Sequence, residues 1–146
     1  MTRAVLLVRL AIAFVFVTEG VQKFLYADAL GAGRFAKIGI PAPQVMGPFV
    51  GGVEIVAGAL VLVGLLTQLA ALALAVDMIV AIVSTKVPIL LGHGFWRFAD
   101  PSGRTGFWAM AHEARTDVSM LLACAFLCVV GAGSLAMDAR WRRAPP

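Results

Sequence analysis

The stretch from residue 45 to residue 87 constrains this chain more than any other part of its sequence. Its 43 residues carry only three charges, on Glu54, Asp77 and Lys86. A single helix of that length would extend about 65 Å, which is about twice the thickness of the hydrocarbon core of a bilayer. The stretch must therefore fold back on itself. Residues 64–68 (GLLTQ), the most polar segment near its middle, are the predicted turn.

The composition of the whole chain indicates an integral membrane protein. Hydrophobic residues make up 61% and charged residues 14% of the 146 residues, and the mean hydropathy is +0.93. Soluble domains have about 45–50% apolar and about 25% charged residues. These values exclude a disordered chain, collagen, a coiled coil and a small disulfide scaffold. With about 20 residues for each crossing, the length accommodates four spans.

The sequence therefore predicts an all-α integral membrane four-helix bundle that forms a single transmembrane domain over residues 1–146. The predicted spans are residues 4–25, 45–66, 69–87 and 113–137. An even number of spans places both termini on the same side of the membrane. Basic residues lie at both predicted ends of the spans, so the positive-inside rule does not choose the orientation.

The net charge of +4 does not indicate nucleic-acid binding. Most basic residues are scattered singly, and the exception is the group Arg140, Arg142 and Arg143. These arginines flank an apolar segment, where charges face lipid head groups. We expect membrane lipids and no nucleic acid as partners. No metal site is predicted, because His93 and His112 have no third ligand at a useful spacing.

Acidic residues inside the predicted spans need protein or water around them. An ionisable side chain in hydrocarbon costs about 2.5–3.5 kcal/mol on insertion scales. At about 1.5 Å of rise per residue, Glu19, Glu54 and Asp117 lie at a similar level on three different helices. Asp77 stands apart near the middle of span three, and Arg9 is a candidate partner for it.

We expect the three acids to meet in one polar pocket in the outer half of the bundle. Lys23 follows Glu19 by four residues on the same helix face, and the opening of span four is rich in charge. The predicted members of the pocket are Glu19, Gln22, Lys23, Glu54, His112, Glu113, Arg115 and Asp117. Two interpretations stay open: a polar network that fixes the helix packing, or a pocket that binds a head group or handles protons.

Glycines give span two a face of small residues. Gly47, Gly51, Gly52 and Gly58 include one GxxxG spacing, which permits close contact between helices. The contact can lie within one chain or between chains, so a homo-oligomer stays open.

Several short motifs occur in a distinctive order and spacing. They are Arg9-Leu10 and residues 19–24 (EGVQKF), 39–43 (GIPAP), 52–58 (GVEIVAG), 64–67 (GLLT), 112–117 (HEARTD) and 131–135 (GAGSL). Together they resemble the DoxX family of small four-helix bacterial membrane proteins, over nearly the whole chain. Gln68 departs from the basic residue that family members commonly have after the Gly-Leu-x-Thr turn.

The resemblance implies a multi-pass protein of the bacterial inner membrane. Some relatives are membrane subunits of a thiosulfate:quinone oxidoreductase, and others anchor oxidative-stress complexes. We therefore expect a quinone-linked redox subunit or accessory with no covalently bound cofactor, a quinone as ligand, and a soluble or membrane redox partner. The alternatives are a non-catalytic scaffold or anchor for a partner complex, and a small oligomeric transporter.

The quinone hypothesis assigns a role to each polar group. Lys23, His112 or Arg115 would donate a hydrogen bond to a quinone carbonyl, and Glu54 or Glu19 would exchange its proton. The aromatic side chains that would close the mouth of the pocket are Trp96, Phe107 and Trp108.

Overall fold

The computed structural model of the chain describes residues 3–141, without the side chains of Arg140 and Trp141. Arg142 and Arg143, which the sequence analysis assigned to the lipid surface, lie outside the described residues. Every regular element among residues 3–141 is helical. The elements are α1 (Val5–Leu25), α2 (Ala32–Ile38), α3 (Pro43–Val63), α4 (Thr67–Ala81), a π-helical segment (Ile82–Lys86), α5 (Val87–Leu91), α6 (Phe107–Val130) and α7 (Met137–Trp141).

Three helical stretches among the described residues are long and apolar enough to cross a membrane. They are Val5–Leu25, Pro43–Val63 and Thr67–Leu91, with mean hydropathies of 1.9, 1.9 and 2.0. The third stretch runs through α4, the π-helical segment and α5 without a break. Helix α6 has 24 residues, but its first half carries Glu113, Arg115 and Asp117 and is therefore more polar.

The structure moves two of the expected helix boundaries. The turn between α3 and α4 covers only residues 64–66, because Gly64 and Leu66 both adopt positive φ angles, of 74° and 48°. The helix in the region of the fourth predicted span is Phe107–Val130 rather than residues 113–137. It starts directly after Gly106 and ends before Gly131, which have φ angles of 95° and 80°. Backbone of this kind interrupts a helix and favours glycine.

The long helices pack in a definite order. Helix α1 packs mainly on α3, α4 packs mainly on α6, and the α3–α4 hairpin joins the two pairs. Their shared core is formed by side chains from all four helices: Val5, Ile12, Phe16, Ala57, Val61, Ala70, Ala71, Leu74, Ala75, Met78, Cys124 and Leu127.

A buried arginine ties together the ends of three helices. Arg9 in α1 is only 2% exposed, and its Nε donates a hydrogen bond to Val61 O at 2.8 Å. Its two terminal nitrogens donate to Leu62 O and to Ala132 O. The last carbonyl groups of a helix have no partner within the helix and carry partial negative charge. The guanidinium therefore satisfies the end of α3 and holds it beside the segment that follows α6.

Asp138 has the complementary role at the start of α4. Its carboxylate accepts hydrogen bonds from the N–H groups of Leu66, at 2.9 Å, and Thr67, at 3.1 Å. These are donors that the first turn of a helix leaves without a partner. Asp138 also lies close enough to Arg9 to interact with it electrostatically.

Close contact between α1 and α3 depends on two facing glycines. A Cβ atom added at Gly20 would lie 2.6 Å from Gly51 O, which is closer than van der Waals contact allows. The small-residue face of α3 is therefore partly used within the chain, against α1. Gly52 is different, because a Cβ atom there would meet no atom within 4 Å.

We expect Gly20→Ala to lower the free energy of unfolding by about 1–3 kcal/mol, since overpacking forces the backbones apart. Gly52→Ala is the matched control and should not lower stability, because its methyl group meets open space and alanine favours a helix. Denaturant unfolding in detergent measures both. Equal stability of the two variants would contradict the close contact between α1 and α3.

Candidate functional site

An ion pair joins α1 to α3 inside the protein. Lys23 Nζ lies 2.7 Å from Glu54 Oε2, and the side chains of Lys23 and Glu54 are 11% and 4% exposed. The contact is an ion pair rather than a well-directed hydrogen bond, since Oε2 has no hydrogen-bond partner with good angles among the described residues. Because Gly20 lies one turn before Lys23, the approach of the two backbones brings the ammonium group to Glu54.

Asp77 of α4 extends this pair. Its carboxyl group lies within hydrogen-bonding range of the Glu54 carboxyl. It is also close enough to Lys23 and Asp117 to interact with them electrostatically. Two carboxyl groups can share a hydrogen bond only when one of them carries a proton, because two ionised carboxylates repel each other and offer no donor.

A second ion pair joins the π-helical segment to α6. Lys86 Nζ lies 3.4 Å from Asp117 Oδ2, with the two side chains 10% and 21% exposed. The two ion pairs and Asp77 form what we call the buried charge network. Its members come from all four long helical stretches: Lys23, Glu54, Asp77, Lys86 and Asp117.

The composition of the buried charge network indicates that it holds a proton. Its three carboxyl groups and two ammonium groups are electrically balanced only when one carboxyl is protonated. Buried charges are costly unless they are paired. Since the carboxyl groups of Glu54 and Asp77 lie within hydrogen-bonding range of each other, we infer that the proton resides on this pair. A group of this kind can take up and release protons.

The π-helical segment explains how Lys86 becomes a member of the network. Val87 N–H donates to Ile82 O, five residues earlier, so this turn contains one residue more than an α-helical turn. Pro88 favours the irregularity, because it has no N–H to donate to Ser84 O. The wider turn places both Ser84 and Lys86 in buried positions, and π-helical turns are frequent at functional sites.

Beside Lys86 the protein opens into a cleft of about 990 Å³. Its walls are α2, the π-helical segment with α5, the connection before α6, and the first two turns of α6. The side chains that line it include those of Arg34, Lys37, Lys86, Arg104, Trp108 and His112. Lys86 therefore faces the cleft and pairs with Asp117 of the buried charge network.

The structure brings together only some of the residues that the sequence analysis assigned to the pocket. Lys23, Glu54 and Asp117 belong to the buried charge network, and His112 and Glu113 line the cleft. Glu19 is exposed and Gln22 is half-buried, and neither has an ion pair or side-chain hydrogen bond among the described residues. The predicted contact of Glu19 with Lys23 is not formed, because the ammonium of Lys23 contacts Glu54 instead.

Arg115 lies outside the cleft. Its side chain is exposed and lies against the imidazole of His112, with Nη1 2.6 Å from Nδ1. It therefore contacts a cleft residue without lining the cleft itself.

Asp77 does not pair with Arg9, contrary to the expectation from the sequence. The guanidinium of Arg9 bonds the carbonyl groups at the end of α3, whereas Asp77 is the eleventh residue of α4 and faces Glu54. The number of residues along each helix gives the depth of Arg9 and Asp77 in the membrane. It does not give the direction of their side chains, so it could not show that they face different partners.

Lys86, which contacts Asp117 and lines the cleft, is the candidate site residue that reasoning from the sequence missed. Lys86 is the last charge of the apolar stretch 45–87, close to its end, where a charged side chain is expected to reach water. The π-helical turn that buries it leaves no periodic pattern in the sequence. The detectable sign is Pro88 two residues later, within a stretch that is otherwise helical.

The aromatic side chains have different positions around the cleft. Trp108 lines the cleft and is 83% exposed, and its ring lies edge-on to that of Phe107, with centroids 5.2 Å apart. Trp96 packs against Phe98 instead. Within residues 3–141, no three His, Cys, Asp or Glu side chains are grouped so that they could hold a metal ion.

We expect Lys23→Met to lower the free energy of unfolding by about 3–5 kcal/mol, because it leaves Glu54 buried without its partner. Lys37→Met is the matched control and should change stability by less than about 0.5 kcal/mol, because Lys37 is exposed and has no ion pair among the described residues. Denaturant unfolding in detergent measures both. A Lys23→Met loss no larger than that of the control would show that the pair is not formed.

Comparisons with known proteins show which family the chain belongs to. The DoxX family model matches residues 4–87, which include α1, α3 and α4 with Lys23, Glu54 and Asp77. The chain is 50% identical over 137 residues to the uncharacterized membrane protein Rv3486 of Mycobacterium tuberculosis, and the match covers 94% of this chain and 80% of that protein. No solved structure matches the chain. On the strength of the matched residues, this chain belongs to the DoxX family of membrane proteins.

Proposed function

We propose that the protein is a four-helix subunit of a quinone-linked redox system in the bacterial inner membrane, and that the cleft takes the quinone head group. In this proposal α6 is the fourth span, and both termini lie on the same side. The position of Arg9, near the start of α1, favours this placement, because its guanidinium bonds carbonyl groups at the end of α3 and after α6.

The observation that carries the proposal is that Lys86 belongs both to the cleft and to the buried charge network. It lines the cleft and contacts Asp117, so it connects a ligand-sized space to a buried group of carboxyls that holds a proton. Reduction of a quinone to a quinol consumes two electrons and two protons. A subunit that binds a quinone therefore needs a proton supply as well as a head-group site.

The residues of the cleft suit the two parts of a quinone head group. The ammonium of Lys86 and a ring N–H of His112 are donors for a carbonyl oxygen, and the indole of Trp108 offers an apolar face to the ring. Asp77 and Glu54 would supply the two protons one after the other through Asp117 and Lys86, and the carboxyl pair would recover each of them from water. The electrons would come from the redox centre of a soluble or membrane partner.

The two histidines of the chain provide a matched test. The detergent-purified protein is titrated with a short-chain ubiquinone analogue while tryptophan fluorescence is recorded. We expect saturable quenching, and His112→Phe should weaken binding at least about tenfold, since one hydrogen bond and its desolvation are worth about 1.4 kcal/mol. His93→Phe should bind like the wild type, because His93 is exposed and lies outside the cleft.

Two results would contradict the proposal. One is the absence of saturable binding by the wild-type protein, and the other is an equal effect of the two histidine variants. Glu54→Gln tests the proton role separately: it should keep quinone binding and slow the proton uptake that accompanies reduction by a chemical reductant.

A non-catalytic scaffold is the second candidate, and the buried charge network favours it in one respect. Buried ionic groups that join four helical stretches also specify one packing arrangement. A scaffold predicts that Glu54→Gln lowers stability while the wild-type protein binds no quinone. The titration above therefore separates the two functions.

A further inference from the structure

We propose that the outer wall of the cleft is a binding site for a phosphate group, carried by an anionic lipid head group or free in solution. The site is formed by Arg34 and Lys37 of α2 and by Arg104 of the connection that leads to α6. It is separate from the Lys86 and His112 positions assigned above to the quinone, and it does not depend on that assignment.

The charges that line the cleft favour an anion. Four lysine and arginine side chains line it, but only two acidic ones, Asp100 and Glu113. Among these cations, Lys86 alone has a carboxylate within 4.0 Å in the described part of the chain. Arg34, Lys37 and Arg104 come from two different walls, and none of the three has a carboxylate within 4.0 Å among residues 3–141.

The acid nearest to Arg104 in the sequence is already engaged. Asp100 Oδ1 accepts a hydrogen bond from Gly94 N–H at 2.7 Å, which holds this carboxylate toward the connection between α5 and α6. Its role is to fix the wall that carries Arg104. An anion that enters the cleft therefore meets more cationic than anionic side chains, and one oxygen of the Asp100 carboxylate is already engaged by Gly94 N–H.

Hydroxyl groups complete a set of donors suited to phosphate oxygens. Ser102 and Thr105 line the cleft on either side of Arg104, and neither makes a side-chain hydrogen bond within residues 3–141. Ser84 and Thr85 also line it, but their hydroxyls donate to Ala81 O. Arginine presents paired donors that match two phosphate oxygens, so Arg34 and Arg104 are the main recognition groups.

The aromatic residues near the cleft indicate the depth at which it opens. Trp108 at the mouth is 83% exposed, and the neighbouring Phe107 is 58% exposed. Exposed tryptophan beside a membrane span is typical of the head-group level of a bilayer. A cationic cleft between helices at that level is placed to receive the phosphate of an anionic lipid.

Native mass spectrometry of the full chain in detergent tests the site. The protein is mixed at equal ligand concentrations with phosphatidylglycerol, with phosphatidylcholine or with inorganic phosphate. We expect retained adducts of phosphatidylglycerol, and the variant with Arg34→Gln and Arg104→Gln should retain at least about fivefold less. Arg97→Gln is the matched control, because Arg97 lies in the same connection as Arg104 but does not line the cleft.

Each arm of the experiment has a definite meaning. Retention of the lipid without retention of inorganic phosphate assigns the site to a lipid head group, and retention of inorganic phosphate that is lost in the double variant assigns it to the free anion. Equal lipid adducts in the double variant and the wild type, or equal retention of phosphatidylcholine and phosphatidylglycerol by the wild type, would overturn the proposal. The three basic side chains of the site, Arg34, Lys37 and Arg104, are exposed, so their substitution should not unfold the protein, and circular dichroism of the variants checks this. The quinone titration with the double variant is read separately, so either proposal can fail without the other.

Discussion

Ionised side chains are too costly to leave in hydrocarbon, and the whole structure follows from that constraint. This chain carries Lys23, Glu54 and Asp77 on helices that are apolar enough to cross a membrane. The lowest-cost arrangement turns them toward one another, and the packing of α1 on α3 and of α3 on α4 does so. The buried charge network thus fixes which helix faces meet, and the apolar core forms around it.

The two ends of the helices satisfy their polar groups in different ways. At one end Arg9 and Asp138 complete the backbone hydrogen bonds that the α3–α4 turn leaves open, which is a structural role. At the other end the charges pair with one another, and Lys86 continues into a cleft. This contrast is the reason why we propose the second end as the functional one, because there the buried Lys86 lines a space that a ligand can enter.

Much of the fold is predictable from the sequence. The length of the apolar stretch requires the α3–α4 hairpin, and the cost of buried charge predicts that Lys23, Glu54 and Asp117 face protein.

The direction of each side chain is not predictable in the same way. Glu19 and Lys23 share a helix face in the sequence, yet Lys23 contacts Glu54 and Glu19 is exposed. Asp77 enters the network through the contact of α4 with α3, and Lys86 enters it through the π-helical turn. Neither feature gives a periodic pattern in the sequence. One wall of the cleft is the connection between α5 and α6, where local sequence constrains the backbone least.

The proton shared by Glu54 and Asp77 is the central claim, and infrared spectroscopy measures it directly. At neutral pH the exposed carboxyl groups are ionised, so a carbonyl-stretching band of a protonated carboxyl would come from the buried pair. We predict such a band in the wild-type protein, with a shift in D₂O. It should be absent in Asp77→Asn, where the two remaining carboxylates balance Lys23 and Lys86. A wild-type protein without this band, or a band unchanged in Asp77→Asn, would contradict the account.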